Sequence, residues 1–170
     1  MKRIVFAFAA AALFCAAFLG PASSALADCA DSAAPGVNWR RCLFDGRSLI
    51  NADLSRAQLR DAVFNRGQLD GADLSDSDAY RAKFVSASAK AAKFDRTRLI
   101  EADFTRADLS GASFTGADLR NARFVDANLS GADLSNAKLH GADLRQTDFS
   151  GARWIDGRTL CADKSIGQCN

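Results

Sequence analysis

From Phe44 to Trp154 a large apolar residue returns at every fifth position, with a small residue two positions before it. Ala52-Asp53-Leu54-Ser55-Arg56, Ala72-Asp73-Leu74-Ser75-Asp76 and Ala132-Asp133-Leu134-Ser135-Asn136 show the unit plainly. Twenty-three units follow one another without insertion. Their central residues are Leu, Phe or Trp everywhere except Ala79 and Ala89. The small position holds Ala, Gly, Ser, Thr or Cys everywhere except Arg47. A helix repeats its apolar face about every 3.6 residues and a strand every second residue, so neither explains a period of five. Tandem self-similarity of this kind marks a chain that coils on itself.

A longer period sets the number of units per coil. Phe44, Phe64, Phe84, Phe104 and Phe124 recur every twenty residues, and Leu144 closes the series. Gly71, Gly111, Gly131 and Gly151 form a second twenty-residue class, just after a centre. Four units therefore make one coil of square section. Central and small residues point inward; the other three positions point outward. Coils stacked at the interstrand spacing of about 4.8 Å bond backbone to backbone, and nearly six of them make a rod of roughly 28 Å. Ala79 and Ala89 lie two units apart, on opposite walls, where they offset the bulk of the phenylalanines near them. A core filled in this way leaves no internal pocket.

Tandem Ala-Asp-Leu-Ser-Xaa and Ala-Xaa-Phe-Xaa-Xaa units resemble the pentapeptide-repeat family. The resemblance covers residues 42–156 and implies an all-β fold, a right-handed quadrilateral parallel β-helix. Arg47 departs from the pattern at an inward position, where only an open end of the rod lets its head reach water. The ending Trp154-Ile155-Asp156-Gly157-Arg158, with Cys161 and Ser165-Ile166-Gly167-Gln168-Cys169, resembles that of secreted bacterial members. Functions in the family differ widely, so the fold by itself assigns none.

Lys2 and Arg3 precede an apolar run from Ile4 to Leu19, followed by Gly20, Pro21 and the small-residue stretch Ala25-Leu26-Ala27. This pattern is that of a secretory leader, residues 1–27, cleaved before Asp28. Cys15 leaves with it. The expected location is the periplasm or the medium of a bacterium, with no membrane insertion after cleavage. Four cysteines remain, an even number in an exported chain, which reads as disulfides. Cys29 and Cys42 lie at the start of the rod, and Cys161 and Cys169 beyond its end. Bridged Cα atoms must lie within about 7 Å, so the rod's length leaves only the pairs Cys29–Cys42 and Cys161–Cys169. The same distance rules out a four-thiolate zinc site. Residues 28–41 and 157–170 are then expected to cap the two ends of the helix, which otherwise expose bare strand edges.

Charge excludes several functions. Without Lys2 and Arg3, basic and acidic residues balance at twenty each. No wall carries a single-sign field. Nucleic-acid binding needs a basic stripe, and none is present. A DNA-mimicking rod, as some family members are, needs a strongly acidic surface, also missing. Asp precedes many centres, as in Asp53, Asp73, Asp103, Asp108, Asp118 and Asp133. Short carboxylates at turns bond local backbone. Calcium stacks in β-rolls use a different, glycine-rich nine-residue repeat. No cofactor or metal is expected. The single histidine, His140, falls on a convex surface with no converging groups, so no catalytic residue is assigned and the protein is read as a non-enzyme.

One outer column stands out. Arg60, Tyr80, Ile100, Arg120 and His140 follow successive centres and should line up along one wall, with Val63, Val85 and Val125 nearby. Arg and Tyr are favoured in protein-binding hot spots, so this column is the candidate partner stripe. The sequence thus points to a rigid, non-catalytic module, monomeric through its capped ends, for a protein partner of the envelope or outside it. A calcium-dependent envelope binder is the alternative, and a DNA mimic or enzyme a remote one. Mass spectrometry of non-reduced peptides should find Cys29 linked to Cys42 and Cys161 to Cys169; a peptide joining the two ends would contradict a rod.

Overall fold

The computed structural model describes residues 29–170, so the expected leader and Cys15 lie outside the described residues. Bridging residues recur at every fifth position from Asn38 to Arg153, each paired in parallel with the residue twenty further on or twenty before. That makes twenty-four units and six coils of four walls. Within residues 29–170 lie the ladder, a continuous buried core and two disulfides. No helix of the described residues is long and apolar enough to cross a membrane.

The unit Ala102–Arg106 shows why five residues suffice for a wall and a corner. The Asp103 amide donates back to Ala82 (3.0 Å), and the Phe104 and Arg106 amides donate forward to Arg123 (2.7 Å) and Val125 (2.9 Å). The amide of the next small residue, Ala107, closes the turn on the Phe104 carbonyl (2.9 Å). Four of five amides per unit are thus bonded by backbone alone. The corner, two residues after each centre, takes a positive φ: Arg96 at 53°, Arg106 at 59°, Glu101 at 60°. Such a conformation costs a non-glycine residue about 1 kcal/mol or more. It persists because each corner amide is tied to the next coil, as at Arg96 to Thr115 (2.9 Å). Glycine removes the strain at Gly111, Gly131 and Gly151.

Inside, Phe44, Phe64, Phe84, Phe104 and Phe124 stack along one wall, with centroids 4.8–5.4 Å apart. Phe94 and Phe114 stack on the opposite wall at 4.9 Å. The two stacks meet edge to face, Phe84 on Phe94 at 5.8 Å and Phe104 on Phe114 at 5.9 Å, the arrangement that ring quadrupoles favour. Ala79 and Ala89 are fully buried on the other two walls beside this crossing. Thr97 and Thr147 fit the small position because their hydroxyls donate to carbonyls of the preceding coil, Leu74 (2.7 Å) and Phe124 (2.8 Å).

The ends depart from the sequence-based boundaries. Trp39, expected in a cap, occupies a central position: it is fully buried, its amide donates to Gln58 (2.9 Å), and its ring lies 4.3 Å from Phe44. The ladder therefore starts one unit before residue 42. Val37 fills the small position of that unit, which hid it from the small-and-large pattern. Cys29 joins Cys42 with Cα atoms 5.5 Å apart. At the other end the tail turns back and pairs antiparallel with the last coil, Ile166 on Asp148 and Leu160 on Arg153. Cys161 and Cys169, joined with Cα atoms 4.9 Å apart, close this loop. Arg47 is exposed at the rim, its guanidinium 5.3 Å from the centroid of Phe44.

Truncating the middle of the aromatic stack, Phe104→Ala, should cost about 3–5 kcal/mol in denaturant unfolding, because two stacked neighbours and two edge contacts are lost at once. Leu43→Ala, on an exposed position, should stay within about 0.5 kcal/mol.

Candidate functional site

The amide left out of the ladder is that of the residue after each centre. Aspartate before the centre supplies its acceptor. The Ser55 amide donates to Asp53 (3.0 Å), Ser75 to Asp73 (2.9 Å), Thr105 to Asp103 (3.0 Å) and Ser135 to Asp133 (2.8 Å). Where that position lacks a carboxylate, a residue of the preceding coil substitutes, as Asn65 for Val85 (3.2 Å) and Asp70 for Lys90 (2.9 Å). The aspartates that repeat in the motif are thus structural groups. Among the described residues no three His, Cys, Asp or Glu side chains gather in a way that could hold a metal ion.

The stripe residues occupy one column in twenty-residue register. Their carbonyls accept ladder amides, Asp61 on Tyr80 (2.9 Å), Arg81 on Ile100 (3.0 Å), Glu101 on Arg120 (3.0 Å) and Asn121 on His140 (3.0 Å). The side chains divide. Tyr80 is half-buried among guanidinium groups: Arg60 at 5.2 Å, Arg98 at 4.9 Å and Arg81 at 5.9 Å from its ring centroid. Its hydroxyl donates to Glu101 (3.3 Å). Asp78 faces both Arg98 (3.1 Å) and Arg60 (3.9 Å). Arg120 turns away into a two-pronged pair with Asp118 at 2.7–2.8 Å. His140 is exposed. The geometry therefore gathers Arg60 and Tyr80 with four residues that the column did not contain, Asp78, Arg98, Arg81 and Glu101. Plotting residues eighteen, twenty and twenty-one apart as neighbours, together with those adjoining in sequence, would have found them.

Beside the cluster runs an open groove of about 270 Å³ lined by Arg81, Lys83, Glu101, Asp103, Asn121 and Arg123. Most of its charge is paired: Arg81 with Asp61 (3.6 Å) and Glu101 (3.8 Å), Arg123 with Asp103 (2.9 Å). The pairs belong to a wider pattern. Four successive positions of several columns alternate in sign, as Arg41-Asp61-Arg81-Glu101, Asp78-Arg98-Asp118-Lys138 and Lys83-Asp103-Arg123-Asp143. Each exposed pair contributes only about 0–1 kcal/mol, but a slip by one coil sets like charges against each other.

The carboxylate pKa values follow these contacts. The Arg120 guanidinium holds Asp118 below the usual carboxylate range, and Arg145 does the same to Asp143. The Ser55 amide lowers Asp53. In the tail, the Thr159 hydroxyl and the amides of Thr159 and Arg158 converge on Asp156 and lower it to about 2.

A model of pentapeptide repeats matches residues 38–76, 82–121 and 112–151, more than half of the chain. The chain belongs to the pentapeptide-repeat family. Its fold is the right-handed quadrilateral β-helix of that family. Among solved structures it is similar to HetL, a pentapeptide-repeat protein involved in heterocyst differentiation regulation in the cyanobacterium Nostoc, at 32% identity and a TM-score of 0.62. That match covers 74% of this chain and 62% of HetL, so the chain spans less than two thirds of that protein. A pentapeptide-repeat protein of the Arabidopsis thaliana thylakoid lumen is 25% identical, with a TM-score of 0.45 over 73% of this chain and 84% of its own. No curated protein matches. Members of the family have diverse, often non-catalytic roles.

Because Asp156 is lowered in the folded state, its contribution is present above the ordinary carboxylate value of 3.8 and is lost as pH falls through about 2. The melting temperature should therefore fall between about pH 4 and pH 2, and Asp156→Ala should reduce the size of that fall. A variant as acid-sensitive as the parent would contradict this role for Asp156.

Proposed function

We propose that the protein is an exported, non-catalytic rod that presents a fixed protein-binding surface, and that this surface is the cluster around Tyr80. The supporting observation is that cluster's packing. Arg60, Arg81 and Arg98 pack around one aromatic ring while Asp78 and Glu101 anchor them, so little side-chain freedom is left to lose on binding. Arg and Tyr held in this way have the composition of an interface hot spot. The remaining aspartates of the wall are consumed by backbone amides and paired cations, which supports an architectural reading over a chemical one. The leader-like sequence before Asp28 supports placing it in the periplasm or medium, where two disulfides are stable.

HetL's role in regulation is consistent with a binding function for a rod of this kind, without assigning its partner here. Replacing Arg60, Tyr80 and Arg98 together (Arg60→Gln, Tyr80→Ala, Arg98→Gln) should abolish crosslinked partners recovered from envelope extracts while leaving the circular dichroism spectrum unchanged. Recovery of the same partners by the triple variant would rule the cluster out.

A further inference from the structure

The tail closes only half of the rod's C-terminal end. It lies over the walls of Phe149 and Trp154, whose amides donate to Ser165 (2.9 Å) and Thr159 (2.8 Å), while the Cys161 amide donates back to Ala152 (2.9 Å). The walls of Leu139 and Leu144 have no such cover. One coil earlier, the amides of Leu119 and Phe124 donate to Lys138 (3.0 Å) and Asp143 (2.8 Å), and the carbonyls of Ala117 and Ala122 accept from the Lys138 and Asp143 amides (both 2.9 Å). At the last coil the matching groups are the amides of Leu139 and Leu144 and the carbonyls of Ala137 and Ala142. None of the four has a partner among the described residues. Every centre from Trp39 to Leu134 is buried, whereas Leu139 and Leu144 are only half-buried. Core and ladder thus break off together at these two walls, one strand layer of about 4.8 Å below the tail beside them.

The tail carries the complementary groups. Leu160 and Ile166 bridge Arg153 and Asp148 in antiparallel fashion, with bonds made by the residues on either side of them. Their own N–H and C=O therefore face away from the coil. Neither residue makes a backbone hydrogen bond among the described residues, and their side chains are 60% and 45% exposed.

We propose that a second copy of this chain covers the bare walls. Two rods meet C-terminal end to C-terminal end, and their two tails lie side by side to complete one shared coil. The end is half raised and half recessed, and the halves adjoin along a diagonal of the square. A two-fold axis on that diagonal sets each tail into the other copy's recess, Leu160 above Lys138 and Ile166 above Asp143. The inverted tail then runs parallel to the walls beneath it. That is the direction its free groups require. In every coil of this rod one residue bonds the two neighbours of the residue opposite, as Asp103 donates to Ala82 (3.0 Å) and accepts from Phe84 (2.7 Å). By the same pattern the Leu160 amide meets the Ala137 carbonyl and the Leu139 amide meets the Leu160 carbonyl, and Ile166 does likewise with Ala142 and Leu144. Such an interface is isologous and closes at two subunits. Charge does not oppose it: Arg145 is paired with Asp143 (2.7 Å), and Lys138, Arg158 and Lys164 mix with Asp156 and Asp163. A head-to-tail stack fits less well, because the raised tail fills the layer that the next copy's walls would need. This self-association is independent of the Tyr80 cluster, which lies on a side wall.

The whole protein is followed by sedimentation velocity from about 1 to about 200 µM, a range that spans the affinities of a small interface. The expected result is a shift from monomer to dimer with no larger species. Leu160→Pro and Ile166→Pro each remove an amide hydrogen that the single chain does not use. Each should weaken the dimer about tenfold or more and leave the melting temperature of the dilute protein unchanged. Leu43→Asp with Ile50→Asp, at the other end, should leave the dimer intact. Residue-resolved hydrogen exchange locates the contact without any substitution: the Leu139 and Leu144 amides should gain about tenfold protection or more in concentrated protein. A single monomeric species over the whole range overturns the proposal. So does a dimer that folded proline variants leave unmoved, or one that the Leu43 and Ile50 changes remove. Leu139 and Leu144 amides that exchange as fast in concentrated as in dilute protein would overturn it as well.

Discussion

A wall that turns a corner every five residues can exist only if its backbone amides find partners outside the unit itself. Three of the five point along the rod to neighbouring coils, and a fourth closes the corner on the preceding centre. The fifth has no backbone acceptor, and the aspartate before the centre supplies one. This single requirement explains the motif. Small residues let the chain turn inward, large ones fill the tube, and aspartate satisfies the amide that the geometry strands. It also explains why so many non-glycine residues tolerate a positive φ at the corner: a strained residue whose amide is bonded costs less than an unbonded amide.

Stacking coils in twenty-residue register then distributes everything else. It lays phenylalanine on phenylalanine along one wall and brings a second stack against it edge to face. It also sets opposite charges one above another on the outer columns. Uniform units carry no information about which coil pairs with which, so a rod of identical repeats could slip. The alternating columns, together with the placement of Ala79 and Ala89 among large centres, make one register better than its neighbours. The cost is a surface with little net field.

Walls, columns and the aromatic stack were legible because their periods are carried by residue type. Trp39 was not, since Val37 breaks the small-residue rule at the first unit and the neighbouring cysteine made a cap the simpler reading. The antiparallel return of the tail was not legible either: Leu160 and Ile166 bridge the last coil from a stretch without period. At the candidate stripe, alignment of Arg60 with Tyr80 could be read by adding twenty, whereas Arg98 reaches the ring diagonally from the next coil and Arg81 sideways from the adjoining corner. Arg120 shows the limit of column arithmetic, because its side chain prefers Asp118 two residues away on its own wall.

The stranded fifth amide can be observed directly. Amide hydrogen exchange, followed residue by residue by NMR, should show a rhythm of five along the middle coils. Ala102, Asp103, Phe104 and Arg106 should exchange slowly, Thr105 should be slowed by the Asp103 carboxylate, and Ile100, whose amide has no acceptor, should exchange fast. Protection of Ile100 equal to that of Phe104, or a rhythm of about 3.6 residues as in a helix, would contradict a tube held together by this division of its amides.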